Sequence, residues 1–246
     1  MSVRTALVTG ATRGIGLEVA RRLAREGYTL TISARDAHTL GVVARDLRDV
    51  HRVPVNPVAA DMSQESQIGG LVAAHTAFAD QLDVLVLNAG FGSAGALADL
   101  SMRTYDRTMA VNLRSQVQLI QGCLPLLRAA AKREPARGAK VLALASITGV
   151  CAEDSLGAYG ASKAALISLC QTLTAEEFGN GVTATAISPG YVDTDMTAWK
   201  RDTLDQASML TTGDVAELVM AVTHLTAQAV VPNIVLSRAG QQIWRA

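Results

Sequence analysis

The chain has 246 residues, 49% of them hydrophobic, and its 22 basic side chains are balanced by 22 acidic ones. A net charge of zero excludes the basic footprint of a nucleic-acid binder and the polybasic anchor of a membrane-surface protein. Length and apolar content together fit one α/β domain with a large buried core.

Short β-like runs alternate along the chain with longer helical patterns. TALVTG at 5–10 reads as a strand that begins almost at the initiator methionine, leaving no room for a signal peptide. Residues 14–27 read as a helix with Gly27 placed for a C-cap. TLTISA at 29–34 is a second strand, and 37–50 a second helix. VPVNPVAAD at 53–61 carries a third strand whose two prolines suit a sheet edge. After a helix over 63–79, LDVLVLNAG at 82–90 is almost wholly apolar, as a strand covered on both faces must be. A long helix over 101–131 contains Pro125, where a kink is expected. KVLALAS at 140–146 is the fifth strand, 157–178 a helix rich in Ala and Gly, and VTATAISPG at 182–190 the sixth strand. A loop with short helices fills 191–224, and NIVLS at 233–237 is the final strand.

This alternation means a doubly wound parallel α/β sheet of about seven strands with helices on both faces. Ligands then bind on the rim formed by the carboxyl ends of the strands. No repeat or linker interrupts the pattern, so a single domain over 1–246 is expected. Cys123, Cys151 and Cys170 form no CxxC pair and read as reduced, buried, structural thiols of a cytoplasmic protein. His38, His51, His75 and His224 lack metal-ligand spacing, so no metal is expected and surface or boundary positions are. The longest apolar stretches fall well short of the ~20 residues of a membrane span.

Three local patterns carry chemistry. In TGATRGIG (9–16) a glycine-rich turn leads from a strand into a helix, so backbone N–H groups and the helix dipole can meet a pyrophosphate. At the tip of the second strand stand Ala34 and Arg35 with no acid, and Arg13 lies in the glycine turn; two guanidiniums favour NADP(H) over NAD(H). Asp36, the nearest acid, fits an N-cap better. In YGASK, Tyr159 and Lys163 lie four residues apart, on one face of a helix. Alone, that spacing serves either a surface pair or a phenol whose pKa an ammonium lowers.

TGATRGIG, Asp61-Met62, NAG (88–90), Asn112, Ser146, YGASK and PGYVDT (189–194) together closely resemble the short-chain dehydrogenase/reductase family, in order and through almost the whole chain. The resemblance implies a Rossmann fold and reversible hydride transfer between a nicotinamide and a carbonyl or hydroxyl group. It implies Tyr159 as acid/base, Lys163 as the cation that lowers its pKa and holds the nicotinamide ribose, and Ser146 as the group orienting the substrate oxygen. Asn112 would hold a water in the proton relay. Gly10, Thr12, Arg13, Gly14, Ile15 and Gly16 would form the phosphate turn, with Arg35 beyond it. Asp61, Met62, Asn88, Ala89 and Gly90 would line the adenosine, and Pro189, Gly190, Val192 and Thr194 the nicotinamide.

Leu87 stands where relatives often have a second asparagine, and is read as a packing change. The ending NIVLSRAGQQIWRA departs from the double glycine of β-ketoacyl carrier-protein reductases. Met196, Trp199, Met209 and Leu210 could close as a lid over 191–212 on an apolar substrate, or simply pack on the domain. Lys200 and Arg201 suit a solvated loop end, and Glu153 and Asp154 have no assigned use. An NADPH-dependent carbonyl reductase working as a homotetramer or homodimer is the expectation. An NAD-dependent alcohol, sugar or steroid dehydrogenase and a non-catalytic NADPH-sensing scaffold are the alternatives.

Overall fold

A computed structural model describes residues 3–240, so the tail at 241–246 lies outside the described residues. Seven parallel strands run β1 (Thr5–Thr9), β2 (Thr29–Ala34), β3 (Val55–Ala59), β4 (Val84–Leu87), β5 (Ala139–Leu144), β6 (Val182–Pro189) and β7 (Asn233–Leu236). Their spatial order is β3-β2-β1-β4-β5-β6-β7, the doubly wound arrangement that the alternation predicts. Strands β1, β4, β5 and β6 are buried along their whole length, as continuous apolar runs require. The proline-bearing β3 pairs only with β2 and so forms an edge.

Seven α-helices cover the two faces: α1 (Gly14–Arg25), α2 (Ala37–His51), α3 (Glu65–Phe78), α4 (Met102–Met109), α5 (Ser115–Arg133), α6 (Gly157–Glu177) and α7 (Thr212–His224). Val19 and Leu23 of α1, Leu40 and Leu47 of α2, and Val215 and Val219 of α7 share one core with β1 and β2. On the other face Leu71 of α3, Leu119 and Leu127 of α5, and Leu166 and Leu173 of α6 share a second core with β4 to β6. Leu87 is buried within that second core. Gly27 caps α1 in the left-handed region at φ +82, with its N–H on Ala24 O and that of Tyr28 on Leu23 O. Asp36 caps α2 by accepting from Thr39 N at 2.7 Å.

Four expectations need correction. Residues 212–224 form a three-turn helix closed by a Thr211–Asp214 capping box, where only short helices were expected. The long helix leaves α geometry in a π-turn at Ala110–Arg114, whereas α5 continues through Pro125. Pro125 and Gln121 both face solvent, so the carbonyl that loses its partner is on the wet side. His75 is fully buried, held by Thr31 Oγ1 at 2.7 Å and Gln81 O at 3.1 Å, and burial lowers its pKa. Cys123 and Cys170 are buried, but Cys151 is partly exposed; all three are free thiols. No helix among the described residues is long and apolar enough to cross a membrane, and no group of His, Cys, Asp or Glu among them could hold a metal.

Asp83 joins the start of the sheet to α5: its Oδ2 accepts from Thr5 N at 2.7 Å and Thr5 Oγ1 at 3.2 Å, and Oδ1 lies 3.5 Å from Arg133. Asp83→Ala leaves the buried Thr5 N–H without its acceptor, though Thr5 Oγ1 keeps Gln81 O, and should lower stability by roughly 2–4 kcal/mol. The expected result is a lower urea midpoint with an unchanged slope of unfolding free energy.

Candidate active site

A cleft of about 1390 Å³ opens at the carboxyl ends of the strands, and its lining includes the loops after β1 and β4, where the strand order reverses. That exceeds the ~300–1,000 Å³ of an ordinary small-molecule pocket, leaving room for an extended ligand and a second molecule. Every predicted site residue lines it except Gly16 and Asn112, which lie behind the wall.

The glycine turn is held from below. Gly10 at φ +66 and Gly14 at φ +57 take backbone conformations that favour glycine. Asn88 Nδ2 donates to Thr9 O at 2.9 Å and Gly10 O at 3.1 Å, while Thr9 Oγ1 accepts from the N–H groups of Asn88 and Ala89, each at 3.0 Å. The Asn88 side chain therefore fixes the shape of the turn. A Cβ on Gly16 would fall far inside contact distance of Gly10 O and the Asn88 amide. Helix α1 has no side-chain capping bond and no acid in its first turn. Its N-terminal N–H groups and dipole thus suit an anion, and the cradle fits a dinucleotide pyrophosphate.

Arg13, Arg35 and Arg107 supply positive charge along the cleft. Asp61 accepts from Ser63 N at 2.9 Å and Ser63 Oγ at 2.8 Å. Those Ser63 bonds, with smaller help from Arg35 and Arg107, hold its carboxyl below the usual range despite partial burial. Asp36 caps α2 through Oδ1 and lines the cleft next to Arg35. Arg13 pairs with Asp195 at 2.9 Å, an exposed contact between the glycine turn and the segment after β6.

At the end of β5, Ser146 Oγ accepts from Thr148 N at 3.2 Å and Thr148 Oγ1 at 2.9 Å. Having accepted twice, the Ser146 hydroxyl keeps its own proton to donate. One turn of α6 carries Tyr159 and Lys163, with the ammonium 5.6 Å from the ring centroid. Lys163 is 4% exposed and donates to Leu144 O at 2.6 Å; burial without a carboxylate lowers its pKa from 10.5 to about 8. Burial pushes the Tyr159 hydroxyl up from 10.0 to about 12, with Ser146 pulling the other way.

Asn112 is fully buried in the π-turn. Its Nδ2 donates to Phe91 O and Ser162 Oγ, both at 3.0 Å, and its Oδ1 accepts from Phe91 N at 2.7 Å. The side chain ties the loop after β4 to α6, and so holds the turn carrying Tyr159 and Lys163. Sequence reasoning missed Thr148, Ser162 and Gln116, which bonds Ala89 O at 3.1 Å and Val111 O at 3.0 Å. Small polar residues one turn from a known motif are common, and nothing in their spacing marked these.

The same cleft holds a second phenol. Tyr191 donates to Glu153 Oε1 at 2.6 Å, and burial first, then Glu153, pushes its pKa well above the ordinary value. With its proton committed to Glu153, Tyr191 does not compete with Tyr159 as a proton carrier.

Comparison with known proteins bears on this geometry. The family model described as short chain dehydrogenase matches residues 4–205. The rhamnolipid-biosynthesis 3-oxoacyl-[acyl-carrier-protein] reductase of Pseudomonas aeruginosa is 36% identical over 198 residues, 79% of this chain and 75% of the relative. The D-beta-hydroxybutyrate dehydrogenase of Rhizobium meliloti is 32% identical, over 78% of this chain and 73% of that protein. Among solved structures, an alcohol dehydrogenase of Thermococcus sibiricus complexed with 5-hydroxy-NADP superposes with a TM-score of 0.88 at 26% identity, covering 98% of this chain and 99% of the other. The Pseudomonas aeruginosa RhlG/NADP complex gives 0.84 at 30% identity, over 96% and 95%.

Gly16→Ala forces the Gly10 carbonyl and Asn88 apart. Calorimetric titration with the dinucleotide should show affinity weakened by about tenfold or more, since the turn can no longer approach the phosphates closely. Unchanged affinity would refute the role given to this contact.

Proposed function

The chain belongs to the short-chain dehydrogenase family and is an NAD(P)-dependent oxidoreductase of carbonyl and alcohol groups; from that premise we propose that it is an NADPH-dependent reductase of an apolar ketone. The observation that carries the reading is the meeting of Ser146, Tyr159 and Lys163 at the end of β5, in one cleft with the glycine turn. The cofactor is NADP(H): Arg13 and Arg35 line its adenosine end, Asp36 spends one oxygen on the cap of α2, and several solved neighbours are NADP complexes. When bound, it supplies the hydride.

The chain's residues handle the oxygen and its proton. Ser146 donates a hydrogen bond to the substrate oxygen and stabilises its growing charge. Tyr159, protonated throughout the physiological range, gives its phenolic proton to that oxygen. Lys163, charged below about 8, stabilises the phenolate left behind and holds the ribose. Asn112 fixes the loop and helix between which these groups sit.

Leu156, Tyr191, Met196 and Trp199 line the cleft beside Tyr159, which supports an apolar substrate under a lid formed by 191–212. Met196 lies against Gly92 across the mouth, since a Cβ there would meet Met196 Cγ at 3.2 Å. Exposed Leu97, Met102 and Tyr105 support assembly of copies into a homodimer or homotetramer.

Three outcomes test the reading. Tyr159→Phe should lower kcat by about 10²–10⁴-fold in a ketone-reduction assay, with NADPH affinity largely kept. Below about 8 Lys163 carries its proton, so kcat/KM for reduction should fall as pH rises through that value; Tyr159, at about 12, adds no limb there. Arg35→Ala should shrink the NADPH-over-NADH preference in kcat/KM by about tenfold, and an unchanged ratio would count against the cofactor assignment.

A further inference from the structure

Glu153 lies in the segment between the 3-10 turn Ile147–Gly149 and α6, opposite the segment that follows β6. Both of its side-chain polar contacts reach across to that second segment. Its Oε1 accepts from Tyr191 Oη at 2.6 Å and sits 3.5 Å from Lys200 Nζ. Its other oxygen, Oε2, is buried with no hydrogen-bond partner among the described residues. The carboxylate is therefore compensated by the lid and by nothing on its own side.

Lys200 in turn lies 5.1 Å from the Tyr191 ring centroid and 5.2 Å from that of Trp199, and the two rings meet edge to face at 6.1 Å. One ammonium thus joins a carboxylate and two aromatic rings at the cleft mouth. Tyr191 and Trp199 also line the cleft beside Tyr159, so whatever fixes this cluster fixes the wall that a substrate meets. At its base the segment is anchored by Val192 and Leu210, which pair with each other and pack on the core; farther out, Arg13–Asp195 is an exposed ion pair and Met196 against Gly92 is one apolar contact.

We propose that Glu153 is the positioning residue of the substrate lid, holding it closed through the Tyr191 hydroxyl and the Lys200 ammonium. Glu153 does not touch the reacting atoms; it sets the placement of Tyr191 and Trp199 against the substrate. The inference rests on the reading that the cleft beside Tyr159 takes the substrate.

Limited trypsinolysis and steady-state kinetics together test it. The full-length protein offers Lys200 and Arg201 as cleavage sites inside the lid. In Glu153→Ala, cleavage at these two bonds should be about tenfold faster, and the KM for the ketone should rise by about tenfold with kcat changed far less, the effect of losing a charged hydrogen bond. Glu153→Gln keeps an acceptor for Tyr191 and should fall between the two. Tyr191→Phe, which keeps the ring, both trypsin sites and the Glu153–Lys200 pair, should move both readouts in the same direction as Glu153→Ala by a smaller factor, and gives the answer if that variant does not fold. Wild-type cleavage rates in the variants that fold, or a fall in kcat at unchanged KM, would overturn the proposal. Should the wild-type protein reduce no ketone, the reductase reading fails by itself, and the cleavage rates alone decide whether Glu153 holds the lid.

Discussion

An ammonium buried without a carboxylate is the constraint on which the rest of this structure turns. Lys163 reaches from α6 to the last carbonyl of β5, Leu144 O, and pairs with no acid among the described residues. Taking such a charge out of water is unfavourable, and the pKa falls to about 8 as a result. The fold tolerates the expense here because the bond to Leu144 ties the helix to the end of the strand. With that tie made, Tyr159 stands one turn earlier on α6, beside Ser146 two residues past Leu144. Burial dominates the phenol's own equilibrium, and the cation is placed 5.6 Å from the ring centroid to stabilise negative charge that appears on it.

Much of the polar chemistry around the cleft goes into holding backbone in place. Asn88 supports the glycine turn, Gln116 holds Ala89, Asn112 joins the loop after β4 to α6, and Thr148 saturates Ser146 as an acceptor. Each satisfies buried groups that the turns leave unpaired. The π-turn at Ala110–Arg114 belongs to the same scheme, since it carries Asn112 into the wall between the two halves of the site. The site is thus built from rigid ends of strands and helices, with the segment after β6 as its adjustable side.

The sheet and the cradle were legible in the sequence because they depend on local rules. Continuous apolar runs mark strands buried on both faces, glycines mark close backbone approach, and Tyr159 and Lys163 share a helix face by spacing alone. What depends on tertiary context was not legible. The helix α7 was hidden because the segment before it carries lid residues that read as loop. Pro125 drew the expected kink away from the π-turn, although its free carbonyl faces solvent and needs no bend. His75 is buried because Thr31 and Gln81, distant or unremarkable in sequence, meet both of its nitrogens. The depth at which Tyr159 sits was not legible for a similar reason: spacing shows which charge is near, and only the packed structure shows how much water has been removed.

The most direct test is the ionisation of Lys163 itself. With lysines labelled at the side-chain terminus, nuclear magnetic resonance can follow each of the chain's four amines through a pH titration, and the Lys163→Met variant identifies the signal. One lysine titrating near pH 8, and absent from that variant, is the predicted result. A Lys163 signal that titrates near its ordinary value of 10.5 would place the ammonium in water and contradict the account.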